Sequence, residues 1–217
     1  MATYLITGVN RGIGAELAKQ ATAAGHEVIG TSRVVPDGQD WLQLDVTDPK
    51  SVARFGRDIE GREIDILICN AGVYLDKGQN LDTGFALDLW AQGMAVNVAG
   101  VFATIQATLP NICKSRGKIA VISSQMGSNA RAKGGSYIYR ASKAAVTNLV
   151  SNLAVDLHGD GVALGSYHPG WVATDMGGSA ADINAETSAK GLLERIDILS
   201  METTGVFEGY DGAEMPF

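Results

Sequence analysis

The sequence predicts an α/β fold in which a doubly wound parallel sheet of about seven strands carries helices on both faces. Two observations lead to this prediction. Short apolar runs alternate with longer segments of helical periodicity along the whole chain, a pattern that is typical of parallel sheets. A glycine-rich turn also stands directly between the first apolar run and the first helical segment. Because no repeat or linker interrupts the alternation, we expect residues 1–217 to form one domain.

The first unit is a strand, a glycine-rich turn and a helix. Residues 4–7 are apolar, Gly8, Gly12 and Gly14 follow, and apolar residues then recur at helical spacing until Gly25, where a C-cap belongs. Such glycines allow a tight turn and bring the backbone close to a pyrophosphate at the helix N-terminus. The turn therefore predicts dinucleotide binding in a Rossmann-type fold, although its Gly-x3-Gly-x-Gly spacing differs from the commoner Gly-x-Gly-x2-Gly.

The end of the second strand indicates which dinucleotide would bind. Residues 26–30 form this strand, and Arg33 follows it with no carboxylate nearby. An acidic residue here would bind the ribose 2′-hydroxyl of NAD, whereas an arginine accommodates the 2′-phosphate of NADP. Arg33, together with Arg11 inside the glycine-rich turn, therefore predicts NADP(H) in preference to NAD(H). The alternative interpretation is that both arginines are solvated turn residues.

The rest of the chain continues the alternation. Further strands are predicted at residues 41–44, 64–69, 118–122, 162–167 and 205–207, and further helices at residues 49–61, 87–115, 139–157 and 185–199. Asp48 and Pro49 form a good N-cap and N1 pair for the second helix. The small and polar residues that begin at Met176 predict a mobile substrate lid at about residues 176–190.

Charge and cysteine content exclude several kinds of partner. The net charge is −7 and no run of Lys or Arg stands out, which argues against nucleic acid and anionic membranes. The apolar runs look too short and too interrupted to span a bilayer.

Cys69 and Cys113 show no pairing or metal-binding pattern, so we expect a reducing, cytoplasmic compartment and no metal site. Residues 2–7 already form a strand, and we therefore expect no signal peptide.

Tyr139 and Lys143 stand four residues apart in a predicted helix, where Cβ atoms at that spacing are about 5 to 6 Å apart. At roughly 5 Å and an effective dielectric of about 20, their attraction is worth ~3 kcal/mol. That is about two pKa units below the ordinary tyrosine value near 10. The pair predicts a tyrosine that can donate and accept a proton near neutrality, unless the spacing arose by chance. Asn97, inside an apolar helix, needs hydrogen-bond partners, and bonding to the backbone is the default interpretation.

Four motifs, taken in this order, resemble those of the short-chain dehydrogenase/reductase family in its single-domain branch. They are Thr7-Gly8-x3-Gly12-Ile13-Gly14, Asn70-Ala71-Gly72, Tyr139-x3-Lys143 and Pro169-Gly170. The resemblance covers essentially the whole chain. The residues around Ser124 and Tyr139 look most similar to the C-factor and Sniffer carbonyl reductase group. Two departures are Cys69, where the family often has a second Asn, and a longer spacing from Ser124 to Tyr139, which leaves open whether Ser123 or Ser124 faces the substrate.

The resemblance implies an NADPH-dependent carbonyl reductase in which Tyr139 protonates the carbonyl oxygen as the nicotinamide delivers hydride. Lys143 would lower the Tyr139 pKa and hold the cofactor ribose, Ser124 would orient the substrate oxygen, and Asn97 would hold a water. Cofactor contacts are expected from Gly8, Asn10, Arg11, Gly12, Ile13, Gly14, Arg33, Asp45, Val46, Asn70, Ala71, Gly72, Tyr139, Lys143, Pro169, Gly170, Val172 and Thr174. An apolar substrate pocket is expected from Met126, Tyr137, Trp171 and Met176.

Two alternative functions stay open at this point. One is an NADP(H)-binding signalling or regulatory protein with little turnover, and the other is an alcohol dehydrogenase that works in the oxidative direction. The sequence does not choose among ketone, aldehyde and quinone substrates. The resemblance also implies a homodimer or homotetramer that pairs through the helices at residues 87–115 and 139–158, and the sequence does not choose between these and a monomer.

Overall fold

Seven strands form one sheet in the computed structural model, which describes all 217 residues. The strands are β1 (Thr3–Thr7), β2 (Glu27–Ser32), β3 (Leu42–Gln43), β4 (Ile66–Cys69), β5 (Lys118–Ile122), β6 (Ala163–His168) and β7 (Val206–Gly209). Their order across the sheet is β3-β2-β1-β4-β5-β6-β7. Every neighbouring pair is parallel, which confirms the predicted sheet.

Helices cover both faces of this sheet. They are α1 (Gly12–Ala23), α2 (Pro49–Asp58), α3 (Leu87–Met94), α4 (Gly100–Ser115), α5 (Tyr137–Asp156) and α6 (Ala185–Ile198). A π-helical turn (Ala95–Ala99) joins α3 to α4, and two short 3₁₀ turns precede α5. One apolar cluster joins the sheet to α2, α4 and α5, and a second joins it to α1 and α6.

The alternation of side chains along each strand explains why both faces are apolar. Leu5 belongs to the cluster beneath α2, α4 and α5, whereas its neighbour Ile6 belongs to the cluster beneath α1 and α6. Successive strand residues point to opposite faces, and a parallel sheet covered on both sides needs apolar residues at both. Leu67 and Ile68 in β4 divide between the clusters in the same way.

Two predicted elements differ from the structure in their extent. β3 is shorter than predicted and contains only Leu42 and Gln43, which pair with the last residues of β2 at the sheet edge. The predicted lid at about residues 176–190 overlaps the first turns of α6, which begins at Ala185 as the sequence predicts, and its role as a lid stays a prediction. Between residues 176 and 184 the chain forms turns and a single isolated bridge from Ile183 to Val172.

The sequence suggested that every apolar run is too short and too interrupted to span a bilayer. By length and composition alone, the helical run Leu87–Ser115 is long and apolar enough to cross a membrane. In this fold it is a core helix, because Val101, Ile105 and Ile112 belong to the larger apolar cluster beneath the sheet.

The predicted cap of α2 is present and gives a test of local stability. The Asp48 carboxylate accepts a hydrogen bond from the Lys50 amide at 3.0 Å, and Pro49 opens the helix. Because this bond satisfies an amide with no intrahelical partner, Asp48→Ala is expected to lower the free energy of unfolding by about 1 kcal/mol. Urea denaturation measures the change, and a variant as stable as wild type would contradict the capping role.

Candidate active site

The predicted motifs meet at one edge of the sheet because each follows the carboxyl end of a parallel strand. Gly8 follows β1, Asn70 follows β4, Ser123 follows β5 and Pro169 follows β6. The strand order reverses between β1 and β4, which is where ligands bind in open α/β sheets. This edge is therefore the candidate active site.

The glycine-rich turn has the shape that a pyrophosphate requires. Gly12 has a φ of 57°, in the left-handed region, and a Cβ on Gly14 would overlap the Gly8 carbonyl oxygen and the Asn70 side chain. The N-terminus of α1 has no side-chain cap, and its first turn has no acidic residue. Its free amides can therefore donate hydrogen bonds to an anion. The residues present thus fit the dinucleotide that the sequence predicts.

Asn70 supports this turn through hydrogen bonds that sequence reasoning missed. Its side-chain amide donates to the carbonyl oxygens of Thr7 at 2.9 Å and Gly8 at 3.2 Å. The backbone amides of Asn70 and Ala71 both donate to the Thr7 hydroxyl at 3.0 Å. The Asn70 side chain, expected to contact the cofactor, donates hydrogen bonds within the protein that hold the turn in place.

The two arginines that predicted NADP(H) have different surroundings. Arg33 is exposed at the end of β2 and forms no ion pair. Arg11 pairs with Asp175 at 2.8 Å, and both side chains are exposed. The pair connects the glycine-rich turn to the loop after β6. Asp45, near Arg33, accepts hydrogen bonds from Thr47 that hold the pKa of its carboxyl below the usual range.

Thr174 and Val172 lie in the loop after β6. A Cβ on Gly12 would be 3.4 Å from the Thr174 side chain, so this loop reaches the glycine-rich turn. The contact of Thr174 with the cofactor stays a prediction. Val172 is buried, and its side chain belongs to the protein interior. The Pro169 carbonyl accepts a 2.6 Å hydrogen bond from Ser188 in α6, which fixes the start of the loop.

Lys143 and Tyr139 are brought together, but their proton affinities differ from the prediction. Lys143 is buried, and its Nζ donates to the Ile122 carbonyl oxygen at 2.7 Å and lies 5.7 Å from the centre of the Tyr139 ring. Burial lowers the pKa of Lys143 to about 8 and raises the pKa of Tyr139 to about 12. The predicted fall in the Tyr139 pKa is wrong here, because burial outweighs any effect of the ammonium.

The two serines after β5 point in opposite directions. Ser123 donates to the Lys143 carbonyl oxygen at 3.2 Å and shares a 2.6 Å hydrogen bond with the Thr147 hydroxyl, so it faces α5. Ser124 accepts from the Met126 amide at 3.1 Å, and the influence of its hydroxyl lowers the pKa of the Tyr139 phenol against the larger effect of burial. Ser124 is therefore the serine on the tyrosine side.

Asn97 lies in the π-helical turn and is hydrogen-bonded within the protein. Its side chain donates to the Val73 carbonyl oxygen and the Ser142 hydroxyl and accepts from the Val73 amide, each at 2.9 Å. A Cβ on Gly72 would lie 3.3 Å from Asn97 Oδ1 and 3.5 Å from Lys143 Nζ. Gly72 thus keeps space open beside these two groups. π-Helical turns are frequent at functional sites.

Two further residues enter the site after Gly72. The ring of Tyr74 stacks on that of Tyr139, with centroids 4.3 Å apart and planes inclined by 20°. Asp76 is fully buried and accepts hydrogen bonds from the amides of Ile138 and Tyr139. Neither residue belongs to a periodic pattern or to a motif. Their place directly after Asn70-Ala71-Gly72 was the only available signal.

The four residues predicted to line the substrate pocket lie on separate segments. Trp171 and Met176 belong to the loop after β6 and are exposed, and the indole of Trp171 donates to the Gly177 carbonyl oxygen at 3.0 Å. Tyr137 is exposed at the start of α5 and meets Phe85 edge to face. Met126 is half-buried beside Ser124. Their joint role as a pocket stays a prediction.

A family model described as short chain dehydrogenase matches residues 2–185. The chain belongs to the short-chain dehydrogenase/reductase family. The match extends from β1 to the start of α6, so it includes the glycine-rich turn, the Asn70-Ala71-Gly72 motif and the pair of Tyr139 and Lys143. This member of the family is accordingly an oxidoreductase.

Similar proteins agree with the subgroup that the motifs indicated. 1-Hydroxy-2-glutathionyl-2-methyl-3-butene dehydrogenase of Rhodococcus sp. (strain AD45) is 33% identical, with 98% of each chain covered. NADPH-bound carbonyl reductase from chicken fatty liver has 29% identity and a TM-score of 0.90, covering 100% of this chain and 99% of its own. Carbonyl reductase Sniffer of D. melanogaster has 28% identity and a TM-score of 0.93, covering 100% of both. The resemblance to the Sniffer group is confirmed.

Proposed function

We propose that this oxidoreductase reduces a ketone, aldehyde or quinone with NADPH, and that Tyr139 is the general acid. The proposal rests on one observation. Tyr139, Ser124 and buried Lys143 lie together at the sheet edge where α1 begins with an uncapped, glycine-lined N-terminus. Bound NADPH would supply the hydride. A Tyr139 pKa of about 12 keeps the phenol protonated at neutral pH, so it can donate a proton to the alkoxide that forms from the carbonyl.

The neighbouring residues have distinct roles in this proposal. Ser124 donates a hydrogen bond that holds the carbonyl oxygen beside the phenol. Lys143 has a pKa of about 8, so it remains a cation near neutral pH, where it binds the ribose hydroxyls and stabilises negative charge on the Tyr139 oxygen. Asn97 keeps the chain at Val73 in place through two hydrogen bonds and donates a third to Ser142. We assign it the water through which the phenol is reprotonated.

A screen of cofactor consumption tests the proposal most directly. The protein is assayed with NADPH and with NADH against carbonyl compounds of graded size, and NADPH-dependent turnover is expected. A clear preference for NADH would contradict the cofactor assignment. Tight NADPH binding without turnover on the whole panel would contradict the enzymatic role and support the signalling alternative.

The oxidative direction is the second candidate, because a relative of 33% identity is named a dehydrogenase. In that direction Tyr139 must accept a proton from an alcohol, for which a phenolate is needed. Burial raises the pKa of Tyr139 and so disfavours the phenolate at neutral pH. Initial rates with alcohols and NADP⁺ over pH 7 to 10 compare the two directions, and faster oxidation than reduction at pH 7 would contradict our choice.

Arg33 is proposed to bind the 2′-phosphate of the cofactor. A charge-assisted hydrogen bond contributes about 1.5 to 3 kcal/mol, or roughly 10- to 100-fold in affinity. Arg33→Ala is therefore expected to lower kcat/KM for NADPH by that factor and to leave the value for NADH nearly unchanged. Arg57→Ala, on the exposed side of α2, is the control. An NADPH to NADH ratio equal to that of the control would contradict the role.

We also propose self-association as a homodimer or homotetramer through the helical run Leu87–Ser115 and α5. The support is the family resemblance of these two helices. Light scattering after size-exclusion chromatography measures the mass directly, and a monomer at assay concentrations would contradict the proposal.

A further inference from the structure

The segment of residues 73–77, which we call the strap, follows Gly72 and contacts three parts of the site. Val73 exchanges two 2.9 Å hydrogen bonds with the Asn97 side chain. Tyr74 and Asp76 contact Tyr139. Lys77 donates from Nζ to the Met176 carbonyl oxygen at 3.1 Å, in the loop after β6. The strap therefore joins Asn97, Tyr139 and that loop.

The N-terminus of α5 is capped by the strap and not by its own sequence. Ser136, at the N-cap position, has a left-handed backbone with φ 49° and ψ 44° and makes no side-chain cap bond. Asp76 instead accepts hydrogen bonds from the amide of Ile138 at 2.8 Å and that of Tyr139 at 3.3 Å. The first turn of a helix leaves such amides without intrahelical partners. A carboxylate here is also favoured by the helix dipole.

Burial couples Asp76 tightly to these two amides. The side chain is 0% exposed, and none of the ion pairs in the structure includes it. A buried carboxylate without a cation depends on hydrogen bonds to offset its loss of hydration. Because one of its donors is the Tyr139 amide, any displacement of Tyr139 would leave this charge with fewer partners. The buried charge therefore resists movement of the Tyr139 backbone.

Tyr74 restrains the side chain of Tyr139. Its ring lies nearly parallel to that of Tyr139, with centroids 4.3 Å apart, and its hydroxyl is hydrogen-bonded to the Ser136 hydroxyl at the start of α5. Offset-stacked aromatic pairs are favourable beyond the apolar area that they bury. Since Tyr74 is anchored at Ser136, the stack limits rotation of the Tyr139 ring and so fixes the plane in which its hydroxyl lies.

We propose that Asp76 is a positioning residue for proton transfer that acts through the backbone of Tyr139, while Tyr74 fixes the plane of the ring. The inference rests on the proposed function, because that function makes Tyr139 the acid. A general acid must lie within hydrogen-bond reach of the oxygen that it protonates. A misplacement of about 1 Å can lower the rate about 10²-fold, so the strap contributes to kcat without touching substrate.

The test compares Asp76→Ala and Asp76→Asn with wild type in kinetics and in amide hydrogen exchange. Asp76→Ala is expected to lower kcat per bound NADPH by about 10²-fold, with KM for NADPH and one bound NADPH per chain retained. The amides of Ile138 and Tyr139 should exchange about tenfold faster. Asp76→Asn retains one acceptor oxygen and should restore part of kcat. It remains informative if Asp76→Ala does not fold.

Asp48→Ala is the matched control, because it removes a carboxylate cap from α2 and leaves α5 unchanged. It should leave both kcat and the exchange of the two amides as in wild type. If the Asp76 variants lose activity only because a smaller fraction of the protein binds NADPH, so that kcat per bound NADPH is unchanged, the proposal is overturned. Unchanged hydrogen exchange at the amides of Ile138 and Tyr139 would overturn it as well. A wild-type protein that binds NADPH and reduces no carbonyl would contradict the proposed function, whereas the exchange result would still decide whether Asp76 holds Tyr139.

Discussion

Tyr139→Phe is expected to lower kcat for carbonyl reduction by about 10²- to 10⁴-fold, which is the usual contribution of a positioned general acid. The variant keeps the ring that stacks on Tyr74 and removes only the hydroxyl that meets Ser124. The fold and the affinity for NADPH should therefore be retained. The loss should appear in kcat and in kcat/KM alike, because the proton is needed only as the alkoxide forms.

Tyr210→Phe is the control for this measurement. Tyr210 follows β7, outside the residues expected to contact cofactor or substrate, and has no lysine four residues on. Its variant should retain kcat within a few-fold, since no proton passes through it. Fluorescence titration with NADPH checks that both variants bind cofactor. A Tyr139→Phe variant with most of the wild-type kcat would exclude the phenol as the acid.

The fold was predictable because its signals are local. The β4 run is apolar at every position because the strand is buried on both faces, and Asp48 and Pro49 mark the start of α2 in the sequence. β3 was predicted less well. It lies at the edge of the sheet, where only Leu42 and Gln43 pair with β2, and this pairing depends on the assembled sheet.

The site was predictable in its motifs and not in its surroundings. Spacing alone placed Tyr139 and Lys143 on one helical face, and the strand end limited the choice to Ser123 or Ser124. The contacts of Asp76 and Tyr74 with Tyr139 join residues more than sixty positions apart, and no sequence period records them. The direction of the Tyr139 pKa was missed for the same reason, because burial depends on the assembled fold.

We expect the buried charge of Lys143 to lower the free energy of unfolding of the protein. Burial lowers its pKa from 10.5 to about 8, so the folded state disfavours the charged form relative to the unfolded chain. At 1.36 kcal/mol per pKa unit, the difference corresponds to about 3 kcal/mol. Below pH 8 both states are protonated and this cost is fully present. Between pH 8 and 10.5 the unfolded state binds the proton more strongly, so stability rises with pH.

Lys143→Met removes the buried charge, so it tests how far that charge lowers the free energy of unfolding. Relative to the variant, wild type is expected to gain about 3 kcal/mol in its free energy of unfolding as the pH rises from 8 to 10.5. The variant also loses the hydrogen bond to the Ile122 carbonyl oxygen. That loss lowers its stability by about 1 to 3 kcal/mol, but it does so equally at every pH. The change with pH therefore isolates the buried charge, and carbonyl reduction should be lost at the same time.

Urea unfolding at a series of pH values measures both curves, and Lys133→Met is the control because Lys133 is exposed. The control should follow wild type at every pH within about 0.5 kcal/mol. Parallel curves for wild type and Lys143→Met would contradict a depressed lysine pKa. Lys143 would then be an ordinary cation, and a stability cost at the site would have to come from elsewhere. Diverging curves together with lost activity would mean that the fold tolerates this buried charge because the reaction needs it.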